Sequence, residues 1–292
     1  MYSLHLAIPY GLGAGAVDAA LNNYVALHYS SRHMSWLHAC WGVGVSVSPY
    51  VMSYCLTNSL GWNMGYRFIS IAQIILAAIM FLSLPMWKKS SLKNSGDGAH
   101  AISLFDAVKI KGAAYCLTGF FCFCAFEVTA GLWASSYMVN HRGIDVETAA
   151  RFAALFYLGE TAGRFLNGFV ADKFGDKKMI LFGSWVMIAG VIMTMLPTNI
   201  HYIVLSGFVV MGLGCAPVYP CIIHSTPVNF GKKNSQALVG IQMASAYLGA
   251  TIAPPVFGII ADNISISLYP HYLGITAVIM LVCISKMYKL LK

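Results

Sequence analysis

A chain of 292 residues that is 58% hydrophobic and only 10% charged, with a mean hydropathy of +0.69, has too few polar side chains to clothe a soluble domain. Its formal charge of +8 would suit an anionic partner, yet the basic residues fall between apolar runs, where they set orientation in a membrane rather than bind nucleic acid. All eight cysteines lie inside apolar runs, which argues against a disulfide framework, and Cys122 and Cys124 lack the further ligands a zinc site needs.

Apolar runs long enough to cross a bilayer recur, and nine helical spans are predicted, roughly 4–27, 36–58, 65–87, 112–139, 149–171, 179–196, 202–225, 236–261 and 271–287. The first has no basic leader region and is not read as a signal peptide. It contains "GLGAGAVDAALNNYVA", with Asp18 in its middle and Asn22 one turn later on the same face. An ionisable side chain there costs about 2.5–3.5 kcal/mol on insertion scales, so Asp18 is expected to meet a partner or a water-filled cavity. Two readings stand: Asp18 binds substrate hydroxyls or a coupled proton, or it makes a structural hydrogen bond to another helix. Gly11 and Gly15 share that face and are expected to let a neighbouring backbone approach. The Gly11-x-Gly13-x-Gly15 run has the wrong spacing for a dinucleotide fingerprint.

On the second span His38 and Trp41 lie one turn apart; the histidine either relays protons or is simply hydrogen-bonded. After the third span comes the longest polar connection, "WKKSSLKNSGDGAHAISLFDAVKIK", expected to be a linker over 88–111 between a three-span bundle (1–87) and a six-span bundle (112–292). Glu127 lies near the middle of the fourth span with Trp133 six residues on. A carboxylate accepts from sugar hydroxyls and an aromatic face covers the apolar side of a ring, the alternative being a structural partnership. Glu160 and Arg164, i and i+4 on the fifth span, form a local ion pair or part of a gate. Tyr219, Gln242 and Tyr247 on the later spans line the same site or serve as interhelical glue.

Taken alternately, the connections carry fourteen basic residues on one side (Arg32; Lys88, Lys89, Lys93, Lys109, Lys111; Lys173, Lys177, Lys178; Lys232, Lys233; Lys286, Lys289, Lys292) and only Arg142 on the other. The positive-inside rule puts the fourteen in the cytoplasm, with the C-terminus inside and the N-terminus outside. An odd number of spans is unusual for a transporter built from paired repeats.

Between the fifth and sixth spans, "GFVADKFGDKK" (Gly168 to Lys178) resembles the G-x-L-a-D-r-x-G-r-k-x loop of the major facilitator superfamily. Gly168 allows close helix approach, Asp172 can cap or pair at a helix end, Gly175 supports a tight turn, and Lys177 and Lys178 hold the loop inside. In that superfamily the loop follows helix 2 and, more weakly, helix 8. The resemblance therefore implies that the chain corresponds to helices 4–12 and lacks the first three. The segments "GLGAGAVDAALNNYVA", "MSWLHACWGVGVSVSP", "GWNMGYRF", "FEVTAGLWASSYMVNHRG", "GLGCAPVYP" and "QMASAYLGATIAPPVFG" are similar to successive helices of the fucose permease-type sugar:proton symporters. Asp18 stands where the fucose permease has Glu, and His38 and Trp41 where it has Gln and Asn.

The resemblance implies an all-α helical bundle in the cell membrane, and alternating-access symport of a sugar or similar small polar solute with protons. The expected binding residues are Asp18, Asn22, His38, Trp41, Glu127, Trp133, Tyr219 and Gln242. Two other readings remain: a truncated or partner-dependent chain that needs a separate polypeptide for its missing helices, and an exporter of drugs or metabolites. No H-E-x-x-H, G-x-S-x-G or P-loop pattern occurs, so neither an enzyme, a cofactor nor ATP-driven transport is expected.

Overall fold

The structure, a computed structural model, describes residues 2–86, 104–197 and 200–292; most of the expected 88–111 linker, including Lys88, Lys89 and Lys93, lies outside them. The described residues are helical with no strand. The helices are α1 (Tyr2–His28), α2 (Ser31–Thr57), α3 (Trp62–Ser83), α4 (Leu104–Lys109), α5 (Ala113–Asn140) and α6 (Val146–Phe174). They continue with α7 (Asp176–Met195), α8 (His201–His224), α9 (Thr226–Phe230), α10 (Ser235–Asn263) and α11 (Tyr269–Leu290).

Six segments among the described residues are long and apolar enough to cross a membrane: Trp62–Met86, Ala113–Asn140, Asp176–Met195, Tyr202–His224, Ser235–Asn263 and Ile266–Leu290. The long helices outside that group are α1, α2 and α6. They carry Asp18 and Asn22, His38, and the Glu160–Arg164 pair, while Glu127, Tyr219 and Gln242 lie on segments of the first group.

The chain forms two compact units, one comprising Met1–Cys40 with Ala101–Lys292 and the other Trp41–His100. In the smaller unit Met52 packs against Gly65, the buried residue of α3. Apolar side chains such as Ile74, Phe81 and Leu82 stand exposed along α3, a surface suited to lipid or another hydrophobic partner.

In the larger unit α8 lies between α6 and α7, while α5 packs on α10 and α11, and α1 touches α8 and α10. Its core is aromatic and sulfur-rich: Phe120, Phe123, Phe126, Phe156, Phe208, Tyr269 and Met187 are all fully buried. Asp145 caps α6 by accepting the Thr148 N–H at 2.9 Å, a bond that holds its carboxyl below the usual range. Gly175 ends the helix at φ +81°, in the left-handed region where a side chain would be strained, and α7 starts at once. In α10, Pro254 and Pro255 remove two backbone donors; the neighbouring carbonyls of Ala253 and Pro254 accept from Tyr272 Oη at 3.0 Å and Trp133 Nε1 at 3.1 Å.

Close approach occurs on α6 and α8. Gly159 and Gly163 of α6 form a small-xxx-small pair against α8, and a Cβ on Gly212 would sit 2.1 Å from the Phe156 carbonyl oxygen. The Gly11 and Gly15 faces, where close approach was expected, meet nothing within 4 Å. Helix contact is set by which faces the bundle turns inward, and on α1 the glycine face is not one of them. Gly212→Ala is expected to destabilise the protein by about 1–3 kcal/mol, the usual cost of overpacking, and to lower its melting temperature in detergent. An unchanged melting temperature would show that the backbones are not in contact there.

Candidate functional site

Polar side chains of six helices connect through the apolar interior of the larger unit. On α1, the Asp18 carboxylate accepts from Asn22 Nδ2 at 2.8 Å through Oδ1 and from Tyr247 Oη of α10 at 2.6 Å through Oδ2. Because Asn22 uses its amide nitrogen on Asp18, its Oδ1 is the acceptor for His38 Nε2 at 2.9 Å. That arrangement fixes the proton of neutral His38 on Nε2. Asn22 and His38 are both buried.

The His38 ring stacks at a tilt on Tyr219 of α8, centroids 4.6 Å apart. Tyr219 packs in turn against Phe120 and Phe123 of α5 and donates to Met243 Sδ of α10. The Arg164 guanidinium lies 5.9 Å from the Tyr219 ring centroid, within cation–π range.

Arg164 is 2% exposed and holds two acids. Its Nη2 donates to Glu127 Oε1 of α5 at 2.6 Å, and the same nitrogen pairs with Glu160 Oε1 one turn back on α6. The pair anticipated between Glu160 and Arg164 is therefore one side of a triad that includes Glu127. Gly159, Gly163 and Gly212 bring α6 and α8 close together beside the triad, whose three residues are buried.

The other expected binding residues have partners or placements of their own. Gln242 is fully buried, accepting from Thr226 Oγ1 at 3.0 Å and donating to Cys116 Sγ at 3.1 Å. Trp133 spends its indole N–H on the Pro254 carbonyl and packs its ring edge-on to Phe257. Trp41 belongs to the smaller unit and is half exposed.

The expected gating loop forms a clasp with the junction of α1 and α2. Asp172 accepts from Ser30 Oγ at 3.0 Å and from the Arg32 backbone N–H at 3.2 Å, and its charge faces the first turn of α2. Arg32 Nε lies 3.6 Å from Asp172 and donates to the Gly168 carbonyl at 3.2 Å. Gly168 leaves room for the Trp36 indole, whose nitrogen would be 2.2 Å from a Cβ there. Asp176 accepts from Ser31 Oγ at 2.7 Å and pairs with His224 Nδ1 at 2.7 Å, while His224 Nε2 lies 3.1 Å from the Tyr29 carbonyl. Of the loop lysines, Lys177 stands over the Tyr288 ring and Lys178 is exposed.

Sequence reasoning overlooked Ser31, Arg32, Asn167, Asp176 and His224. The one available signal was the polar run Ser30-Ser31-Arg32 directly after an apolar span.

Long apolar helices enclosing ionisable side chains define a multi-pass membrane protein. The sequence profile of the Major Facilitator Superfamily matches residues 4–155 and 115–291, and the chain belongs to that family. Among curated relatives, the cis,cis-muconate transport protein of Acinetobacter baylyi is 26% identical over 280 residues, covering 88% of this chain and 65% of that protein. Bypass of stop codon protein 6 of Saccharomyces cerevisiae is 23% identical, covering 90% of this chain and 59% of that protein. The glucose/mannose transporter GlcP of Bacillus subtilis is 22% identical, with 88% and 65% covered. The chain thus spans 59–65% of the length of these relatives. The crystal structure of the transporter FucP in its outward conformation superposes with a TM-score of 0.73 at 15% identity, over 94% of this chain and 73% of FucP, which establishes the common fold.

The clasp can be tested through Cys221, which is fully buried beside Ser31 and Asn167. In a variant keeping Cys221 as its sole cysteine, Asp176→Asn removes a hydrogen bond to a charged acceptor, worth about 1.5–3 kcal/mol. Maleimide labelling of Cys221 is expected to speed up about tenfold or more. An unchanged labelling rate would mean that these contacts do not hold the junction shut.

Proposed function

We propose that this chain acts in secondary active transport, carrying a sugar or similar small polar solute together with protons by alternating access. The observation that carries the reading is the connected polar set running from Tyr247 and Asp18 through Asn22, His38 and Tyr219 to Arg164, Glu127 and Glu160 in an otherwise apolar bundle. Buried polar groups in a membrane are costly and mark solute or proton paths. Asp18, Asn22, His38 and Glu127 are assigned to binding the solute or proton, with Trp41, Trp133, Tyr219 and Gln242 shaping the site. The names of GlcP and of the fucose:proton symporter FucP are consistent with such a solute.

In this reading nine spans run from an external N-terminus to a cytoplasmic C-terminus. Residues 1–87 supply part of one bundle, 88–111 a cytoplasmic linker and 112–292 a six-helix bundle. The clasp of Asp172 and Asp176 on the α1–α2 junction is the cytoplasmic gate, and breaking it accompanies inward opening.

A second reading is favoured by the exposed apolar surface of α3 and by the 59–65% coverage of the relatives: the chain works with a further polypeptide that completes its bundle. Proteoliposomes containing the full chain separate the two. Uptake of labelled hexose is expected to follow an inward proton gradient, to exceed uptake of cis,cis-muconate or organic cations, and to fall about tenfold or more in Asp18→Asn, the loss of one charge-assisted contact. No uptake of any of these solutes by the chain alone would favour the partner-dependent reading. Gradient-driven hexose uptake unaltered in Asp18→Asn would remove the site assignment.

A further inference from the structure

We infer that Glu127, Glu160 and Arg164 form a proton-binding site in which the two carboxylates share one proton; on the transport reading above, that proton is the coupled one. The geometry comes first. Both Oε1 atoms converge on the single nitrogen Nη2 of Arg164, one from α5 and one from the preceding turn of α6. All three residues are more than nine-tenths buried, at 7%, 1% and 2% exposure.

Charge counting then decides the protonation state. Two ionised carboxylates and one guanidinium carry one net negative charge, and with a single added proton they carry none. An uncompensated charge sealed in an apolar bundle is strongly disfavoured, so the neutral state is the stable one.

Hydrogen bonding leads to the same place independently. Glu160 Oε2 is buried and accepts no hydrogen bond among the described residues, while the Oε1 atoms of Glu160 and Glu127 are held side by side on one nitrogen. Two carboxylates accept only and repel one another; one proton turns that contact into an O–H···O bond and satisfies the orphaned oxygen. Binding forms one O–H bond and breaks none in the protein, and the proton leaves to water when the site opens.

No other surrounding group supplies the missing positive charge. The titratable neighbours are Cys124 on α5, Tyr157 on α6, Cys215 and Tyr219 on α8, and His38 on α2, whose Nε2 proton is committed to Asn22. The triad is thus self-contained and differs from Asp18, which has two donors of its own and needs no proton to be satisfied.

Infrared spectroscopy of the full chain in lipid reads the proton directly. The protein at pH 7 is expected to show the carbonyl band of a buried protonated carboxylic acid. That band should be lost in Glu160→Gln and equally in Glu127→Gln, because each leaves a neutral carboxylate–guanidinium pair that needs no proton. Should one variant fail to fold, the other and the parent spectrum suffice. Absence of the band from the parent protein, or its survival in a folded variant, overturns the proposal. The outcome is independent of transport: a band with this behaviour in a protein that moves no solute supports the site and refutes only the transport reading. Gradient-driven uptake without the band refutes the site alone.

Discussion

The rest of the structure depends on one constraint: a guanidinium sealed among apolar helices must be neutralised where it stands. Arg164 meets that constraint with Glu127 from α5 and Glu160 from its own helix. In bulk water such pairs contribute little, but inside an apolar bundle neither charge is tolerable without the other. The requirement fixes the rotation of α6, since Arg164 and Glu160 must both face α5. Beside the cluster, α6 and α8 meet through glycines that let the backbones approach closely.

From that centre the polar set extends outward through aromatic faces rather than through further charges. The Tyr219 ring contacts both the Arg164 guanidinium and the His38 imidazole. His38 reaches Asp18 through the Asn22 amide, which accepts on one side and donates on the other. This linkage joins helices widely separated in sequence, so a change of charge at either end can be felt as a change in helix packing. The clasp belongs to the same helices: α6 carries Glu160, Arg164 and Asp172, and α2 carries Arg32 in its first turn and His38 further on. A rigid helix that bears both a buried charge and a closing contact can couple the two.

Much of this was legible in the sequence because lipid is an unforgiving solvent. Acids inside apolar runs stood out, and Asp18, Glu127, Glu160 and Arg164 all occupy structured positions between helices. The pairing of Asp18 with Asn22, and of Glu160 with Arg164, follows from the 3.6-residue period alone. What the period does not give is the rotation of one helix against another. The contact of Glu127 with Arg164 spans thirty-seven positions and depends on it, as does the placement of Trp133 against the α10 carbonyls rather than beside the triad. The partners of Gln242, Thr226 and Cys116, could not be read from the sequence either, because an amide serves solutes and helix packing equally well. The clasp residues Ser31, Asp176 and His224 are ordinary loop residues by composition, and their significance comes from the chain crossing that brings them together.

The measurement that bears most directly on the neutralisation of Arg164 is the thermal stability of Arg164→Gln against that of the triple variant Arg164→Gln/Glu127→Gln/Glu160→Gln. Removing the guanidinium alone leaves the buried acid pair with an uncompensated negative charge and should cost about 3–5 kcal/mol, whereas replacing all three residues should restore most of the loss. Melting of Arg164→Gln at the temperature of the parent protein, or a triple variant no more stable than the single one, would contradict the account.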